Sequence, residues 1–306
     1  MSGTESVKGP VGRHAGETRH GETLHAGDGR VQTWLSLLTN RSKRHQRASF
    51  VVQGVRPISQ AVEHGWPLRA LLVNDSLPLS AWARDILRRS PAERHALEPD
   101  LLSQFGQQEH CPELVAIAAM PPDDLSRIEA RSGLVVVVDR PTQSGNLGSI
   151  IRSADAFGAD GIVVTGHGVD PYEPAAVRAT TGSLFALPTV HAPTPAEVVA
   201  WSAEAMPGAQ IVGTDEDGLA ITDDTVDFTR PTILVLGNET RGMSQAWRTA
   251  CHLVARIPMV GAASSLNVAN AGSILMYEVH RQRTGDRPRR AEGPGSGTGP
   301  GRAGGR

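Results

Sequence analysis

Three stretches of the chain set side chains able to handle an anion or a flat ligand beside glycines that let the backbone turn tightly. Residues 139–158, DRPTQSGNLGSIIRSADAFG, carry Asn146, Gly148 and Arg152 in the order N-x-G-x-x-x-R. Gly148 and Arg152 stand four apart on one helix face. Asn146 is suited to cap the helix start and Gly148 to admit another backbone. Arg152 then presents a permanent positive charge one turn further on. Its plainer reading is a surface pair with Asp155. Residues 234–244, LVLGNETRGMS, pin Asn238 and Glu239 between Gly237 and Gly242. This could equally be an ordinary strand-to-helix turn with Glu239 on a helix dipole. Residues 257–272, IPMVGAASSLNVANAG, crowd Gly261, Ala262, Ala263, Ser264 and Ser265 ahead of Asn267. Such a loop can wrap N–H and C=O groups around a flat ligand, or can end in a simple N-cap.

The elements that must position these loops read as two folded units. Residues 1–29 lack the apolar side chains needed to offset ordering entropy and read as a disordered tail, with His14, His20 and His25 solvated. Residues 30–122 alternate helix-like and strand-like runs: VQTWLSLL, SFVVQGV, PISQAVEHG ending at Gly65, RALLV, SAWARDILRRS and ELVAIAAM. That pattern predicts a small α/β domain. Residues 123–132 read as a linker. In residues 133–284, the β-branched run LVVVV predicts a parallel strand buried on both faces. GIVVT, QIVG, TILVL and LVARI predict further strands, and a long helix from Asn267 closes the unit. Residues 285–306 form a Gly/Pro/Arg tail, expected to be disordered, whose Arg287, Arg289 and Arg290 could touch phosphates or merely solubilise. In a parallel α/β sheet ligands lie beyond the carboxyl ends of the strands, where all three loops fall.

Composition narrows the classes. A formal net charge of −2 does not announce a nucleic-acid binder, so any such signal must be local. The best local footprint is Arg41, Lys43, Arg44 and Arg47 with Arg56 beyond, read as a phosphate-contacting surface rather than a solvated helix end. Two cysteines, Cys111 and Cys251, give neither a disulfide framework nor a zinc spacing, and no metal is expected. No apolar N-terminal run or membrane-length segment is present, which predicts a cytoplasmic protein without a membrane partner. The dinucleotide fingerprint is missing, because Pro171 stands where its third glycine would be after Gly166 and Gly168. That opposes a nicotinamide oxidoreductase. The residues by themselves reach an α/β protein with a site for a nucleotide-like ligand.

Taken together and in order, the three loops resemble the signature motifs of the SpoU-type (TrmH-like) RNA ribose methyltransferases. IPM-x-G-x-x-SSLN is the most diagnostic piece, and the likeness spans about residues 30–283. RSKRHQRASFVVQGVRPISQAVEHG resembles that family's L30e-like substrate domain, with Gln53 where the family usually has Glu. The resemblance implies a deep trefoil knot in the second domain, S-adenosylmethionine as cofactor, and a homodimer with active sites near the subunit boundary. It places catalytic positions on Asn146, Arg152, Glu239 and Asn267, and cofactor contacts on Gly237, Ile257 and Leu266. Leu236, Met259 and Ser265 would add backbone contacts. The last helix, with Val268, Ala271, Leu275 and Val279 near one face and small Ala269, Gly272 and Ser273, is the expected dimer contact. The implied reaction is 2′-O-methylation of RNA, with a 23S rRNA nucleotide, a uridine, favoured over tRNA and a role in resistance to a ribosome-targeting antibiotic. The rival from another class is an RNA-binding homologue without catalysis. All four catalytic positions are filled, which opposes it.

Overall fold

The computed structural model describes residues 23–74, 76, 78–106 and 111–285. Of the expected tails, 1–29 and 285–306, residues 1–22 and 286–306 fall outside these. Residues 23–29, expected within the N-terminal tail, are structured instead: Thr23 and Leu24 pair with Ala96 and Leu97.

The first domain contains β1 (Thr23–Leu24), α1 (Gly29–Thr39), α2 (Arg41–Arg47), β2 (Ser49–Gln53), α3 (Val55–Glu63), β3 (Leu68–Asn74), α4 (Ala81–Arg89), β4 (Glu93–Leu97), α5 (Pro99–Gly106) and β5 (Leu114–Ala119). Its sheet has the order β1-β4-β3-β5-β2, with β5 antiparallel to both neighbours. Local chemistry sets the helix ends. Asp28, Asn40 and Ser80 each accept a backbone N–H at a helix start, worth about 1 kcal/mol apiece. Gly65, at φ +64°, ends α3 as expected.

The stretch read as a linker is docked. It forms one 3₁₀ turn, Leu125–Arg127, and Ile128 is buried against Gly161. Asp123 accepts from the His191 backbone, and Arg127 donates to Thr189 O.

The second domain contains β6 (Leu134–Asp139), α6 (Ser144–Ala156), β7 (Gly161–Thr165), α7 (Pro174–Ala179), β8 (Thr189–Ala192), α8 (Pro195–Ala205), β9 (Gln210–Ala220), β10 (Thr232–Leu236), α9 (Gln245–Ala250), β11 (Leu253–Arg256) and α10 (Val268–Thr284). Its sheet is wholly parallel, in the order β11-β9-β10-β6-β7-β8. From β6 the chain moves outward through β7 and β8, then returns to lay β10 on the other side of β6. That reversal opens a crevice at the carboxyl ends of β6 and β10. Every residue of β6 is buried, as its β-branched run predicts. Burying each of its valines is worth about 1.5–3 kcal/mol.

The domains meet through charge and aromatic packing. Phe50 of β2 lies 4.9 Å from Tyr172 and stacks on Phe185 at 6.2 Å, while Trp66 meets Phe185 edge-on at 5.2 Å. Gln53 accepts from Arg178 at 3.0 Å and donates to the Phe105 carbonyl. An ionised Glu could accept the first of these bonds but could not donate the second, so the amide suits this chain.

Candidate active site

Loops 140–143 and 237–244 meet over the crevice, and buried Asp139 at the end of β6 ties them together. Its carboxylate accepts from Arg140 at 3.0 Å, from Ser244 N at 2.7 Å and from Thr165 at 3.3 Å. Arg140 takes a left-handed backbone, φ +52°, and also donates to Gly242 O at 3.0 Å. Asn238 folds its loop back on Gly242 through two mutual backbone bonds of 3.0 Å, and its side chain donates to Arg140 O at 2.6 Å. Sequence reasoning missed Asp139 and Arg140. Nothing in VVVVDRP signals that the strand's last carboxylate must serve a loop about a hundred residues away.

This turn delivers Glu239 to the start of α6. Its carboxylate accepts from Thr142 N at 3.1 Å, Thr142 Oγ1 at 2.8 Å, Gln143 N at 3.2 Å and Asn146 Nδ2 at 3.3 Å. The dipole it meets is that of α6, not of the helix following its own loop. Partial burial pushes this carboxyl up, but bonds from its own N–H, from Thr142 and from Asn146 outweigh that and hold it below the usual carboxylate range.

Asn146 does not cap α6, because the helix already starts at Ser144. Instead it bridges: it donates to Glu239 and accepts from Asn267 Nδ2 at 2.9 Å. Asn267 caps α10 through its other side-chain atom, accepting from Ala269 N at 2.9 Å. The structure therefore joins three of the four expected catalytic positions in one chain, Asn267–Asn146–Glu239. Arg152, further along α6, is not part of it. Arg152 is exposed and, among the described residues, has no hydrogen bond or ion pair, so the surface pair with Asp155 is not formed. Gly148 does admit another element: a Cβ there would lie 2.5 Å from Ala176 O and from Ala179 Cβ of α7.

A hollow of about 570 Å³ opens between the second half of β9, the loops after β10 and β11 and the first turns of α10. Gly237, Ile257, Met259, Ser265 and Leu266 line it, as does Glu239. Leu236 is not among the lining residues, and with its side chain buried against Gly272 only its backbone is left for the expected contact. Met259 and Leu266 keep 40% and 38% of their surface exposed, so the hollow presents uncovered apolar groups beside small residues. Gly237 leaves room for its own loop rather than for a ligand, because a Cβ there would sit 2.5 Å from Met243 N. Thr214, Asp215, Glu216 and Asp217 also line the hollow. They were missed because QIVG reads as a short strand, whereas β9 runs on to Ala220 by pairing with β11 past a bulge.

The basic cluster divides. Arg41, Lys43, Arg47 and Arg56 are exposed. Arg44 is not available to RNA, contrary to the sequence expectation: it is 2% exposed and pairs with Asp170 of the second domain at 2.7 Å. The expected dimer face of α10 is corrected in part, with Val268 and Ala271 half-buried on the hollow. Leu275, Val279, Ala269 and Gly272 are buried in the domain's own core, and Ser273 bonds to Ser153 of α6. The apolar groups that α10 exposes are Ile274 and Tyr277.

Residues 133–277 match the SpoU rRNA Methylase family, and residues 28–116 match the SpoU L30e-like domain. The chain is 52% identical over 263 residues to the 23S rRNA (uridine(2479)-2′-O)-methyltransferase of Streptomyces viridochromogenes, covering 84% of this chain and 91% of that protein. It is 28% identical to the Bacillus subtilis 23S rRNA (guanosine(2553)-2′-O)-methyltransferase RlmP, covering 82% and 95%. The crystal structure of the SpoU methyltransferase AviRb from S. viridochromogenes with AdoMet superposes with a TM-score of 0.79 at 52% identity, covering 84% of this chain and 98% of that one. An AdoMet-bound rRNA methyltransferase from Sinorhizobium meliloti superposes at 0.74 with 29% identity, covering 85% and 97%. With the two domains in the matched order and a relative 52% identical over most of both chains, the chain belongs to the SpoU rRNA methylase family.

Proposed function

We propose that this protein transfers a methyl group from S-adenosylmethionine to the 2′-hydroxyl of a uridine in 23S rRNA. The observation that carries the reading is the bonded chain Asn267–Asn146–Glu239, whose Glu239 lines a hollow that sets Ile257, Met259 and Leu266 beside the polar run Thr214–Asp217, a mixed lining that suits a ligand with a flat base and charged groups. Ile257, Met259, Leu266 and the backbone of Ser265 would hold the cofactor. When bound, it supplies an electrophilic methyl on a sulfonium centre.

The protein's own residues then align and polarise the hydroxyl. Glu239 organises rather than acts as a base: it is ionised, and its oxygens are already occupied by four donor groups. It holds Asn146, which orients Asn267. A guanidinium is a hydrogen-bond donor only, so the role of Arg152 is to stabilise the forming alkoxide and hold an adjacent phosphate. Its unpartnered side chain is free to do so. A homodimer with each site near the subunit boundary is part of the same reading. The homodimer forms through the face bearing Ile274 and Tyr277, with Phe157 of α6 packed on Tyr277 at 6.0 Å. The trefoil knot belongs to the same reading. It is supported by the path of α10, which returns across β10 with Gly272 against Leu236 after the chain has passed β11 at the sheet edge.

The first domain receives RNA on Arg41, Lys43, Arg47 and Arg56. The work is cytoplasmic, consistent with the finding that no helix among the described residues is long and apolar enough to cross a membrane. Protection of the ribosome against a drug that binds at the methylated ribose is part of the proposal, checked by drug sensitivity of ribosomes from cells with and without the protein. The function is tested by methyl transfer from labelled S-adenosylmethionine to 23S rRNA and to tRNA. Label in 23S rRNA supports the reading, and label confined to tRNA overturns the substrate.

A further inference from the structure

α2 is a helix of one buried residue. Arg41, Ser42, Lys43, His45, Gln46 and Arg47 all face solvent, and Arg44 alone points inward. Its Nε donates to Asp170 Oδ2 at 2.7 Å and its terminal nitrogen to Leu37 O at 2.8 Å. The two side chains retain 3% and 1% of their exposure, so this is a charge pair taken out of water. The other Asp170 oxygen accepts from Tyr172 N at 2.9 Å. Burying such a pair costs several kcal/mol, and well-packed apolar residues often hold a contact as firmly. What a fixed, directional pair adds is register.

The loop that carries Asp170 supports the active site. Val169 N donates to Pro141 O at 2.9 Å. Gly168 lies so close to Pro141 that a Cβ would meet its carbonyl oxygen at 2.9 Å. Arg41 of α2 also donates to Gly168 O at 2.8 Å. The two residues after Pro141 are Thr142 and Gln143, whose backbone N–H groups hold Glu239. One bonded and packed path therefore runs from the basic helix through residues 168–170 and the 141–143 turn to Glu239 and Asn146.

We propose that Arg44 and Asp170 are positioning residues that register the RNA-receiving helix against the catalytic turn. RNA seated on Arg41, Lys43 and Arg47 is thereby held at a fixed offset from the methyl-transfer centre. The idea rests on the function proposed above, and its test separates the two.

The full-length Asp170→Asn variant keeps the side-chain shape and removes the charge. Single-turnover methylation of 23S rRNA at saturating RNA and cofactor should fall at least about tenfold, since small misplacements are costly to a positioned reaction. Affinities for S-adenosylmethionine and rRNA should stay within about threefold, and amide exchange at Val169, Thr142 and Gln143 should accelerate. Arg44→Gln should leave the salt dependence of rRNA binding unchanged, whereas Arg47→Gln should lower its slope by about one unit. Should Asp170→Asn not fold, Arg44→Lys, which preserves both charges, is read by the same measurements. A wild-type rate with wild-type exchange at Thr142 overturns the proposal, as does an Arg44→Gln slope reduced like that of Arg47→Gln. If the wild-type protein methylates no 23S rRNA, the functional reading fails, while the exchange data still decide the coupling.

Discussion

Glu239 shows what a carboxylate does when every donor around it points inward. Its lowered pKa means that the stability it contributes is present above the ordinary glutamate value of 4.5 and is lost as pH falls through its folded value. Thermal stability of the wild type should therefore exceed that of Glu239→Gln at neutral pH, and the gap should close in acid, as pH falls below the ordinary glutamate value through the lowered folded one. A gap independent of pH would contradict the ionised, donor-saturated arrangement. Arg152→Ala should reduce turnover about 10²–10³-fold with cofactor affinity little changed. Arg152→Lys should rescue poorly, because an ammonium lacks the planar fork. Near-normal turnover in single-turnover assays of the alanine variant would remove Arg152 from the chemistry. At this scale the types of residue were legible in the sequence and their partners were not. Asn146 was readable as a polar group at a helix start, but its bridge to Asn267 spans 121 positions. Arg44 was indistinguishable from its basic neighbours until Asp170, 126 positions away, came into contact.

Elements are governed by how closely backbones approach. Gly148 lets α6 lie against α7, and Gly148→Val would drive a branched side chain into the α7 backbone. A loss of at least about 1–3 kcal/mol is expected in denaturant unfolding, since such overpacking cannot relax cheaply. Gly237→Val should open the 237–242 turn, lowering the melting temperature and abolishing S-adenosylmethionine binding together. Leu266→Asp alters the lining of the hollow without touching that turn. It should weaken cofactor binding in calorimetry while stability stays within about 0.5 kcal/mol. Full affinity in Leu266→Asp would place the cofactor elsewhere. Strands with long apolar runs, such as β6 and β10, were legible because burial on both faces demands them. β4, with the sequence ERHAL, and the two-residue β1 were not, because a strand so short or so polar is defined by its neighbours.

For the whole molecule, the proposed RNA-receiving domain and the methylase domain are joined by a built interface, and under the proposed reading a second copy completes the site. Ile274→Asp combined with Tyr277→Asp should shift the protein from dimer to monomer in light scattering and lower turnover without altering the fold. A dimer that survives both charges would place the interface elsewhere. The order of the two domains and the sheet edge at which the hollow opens were legible from the sequence. The docking of residues 123–132 was not, since Ile128 is one apolar residue in a polar stretch whose burial depends on Gly161. The most direct test of the central claim is to treat 23S rRNA with the protein and S-adenosylmethionine and map ribose methylation by resistance to alkaline cleavage. The account expects one new alkali-resistant linkage, at a uridine, absent with Arg152→Ala. No new resistant linkage, or methyl groups found only on bases, would contradict it.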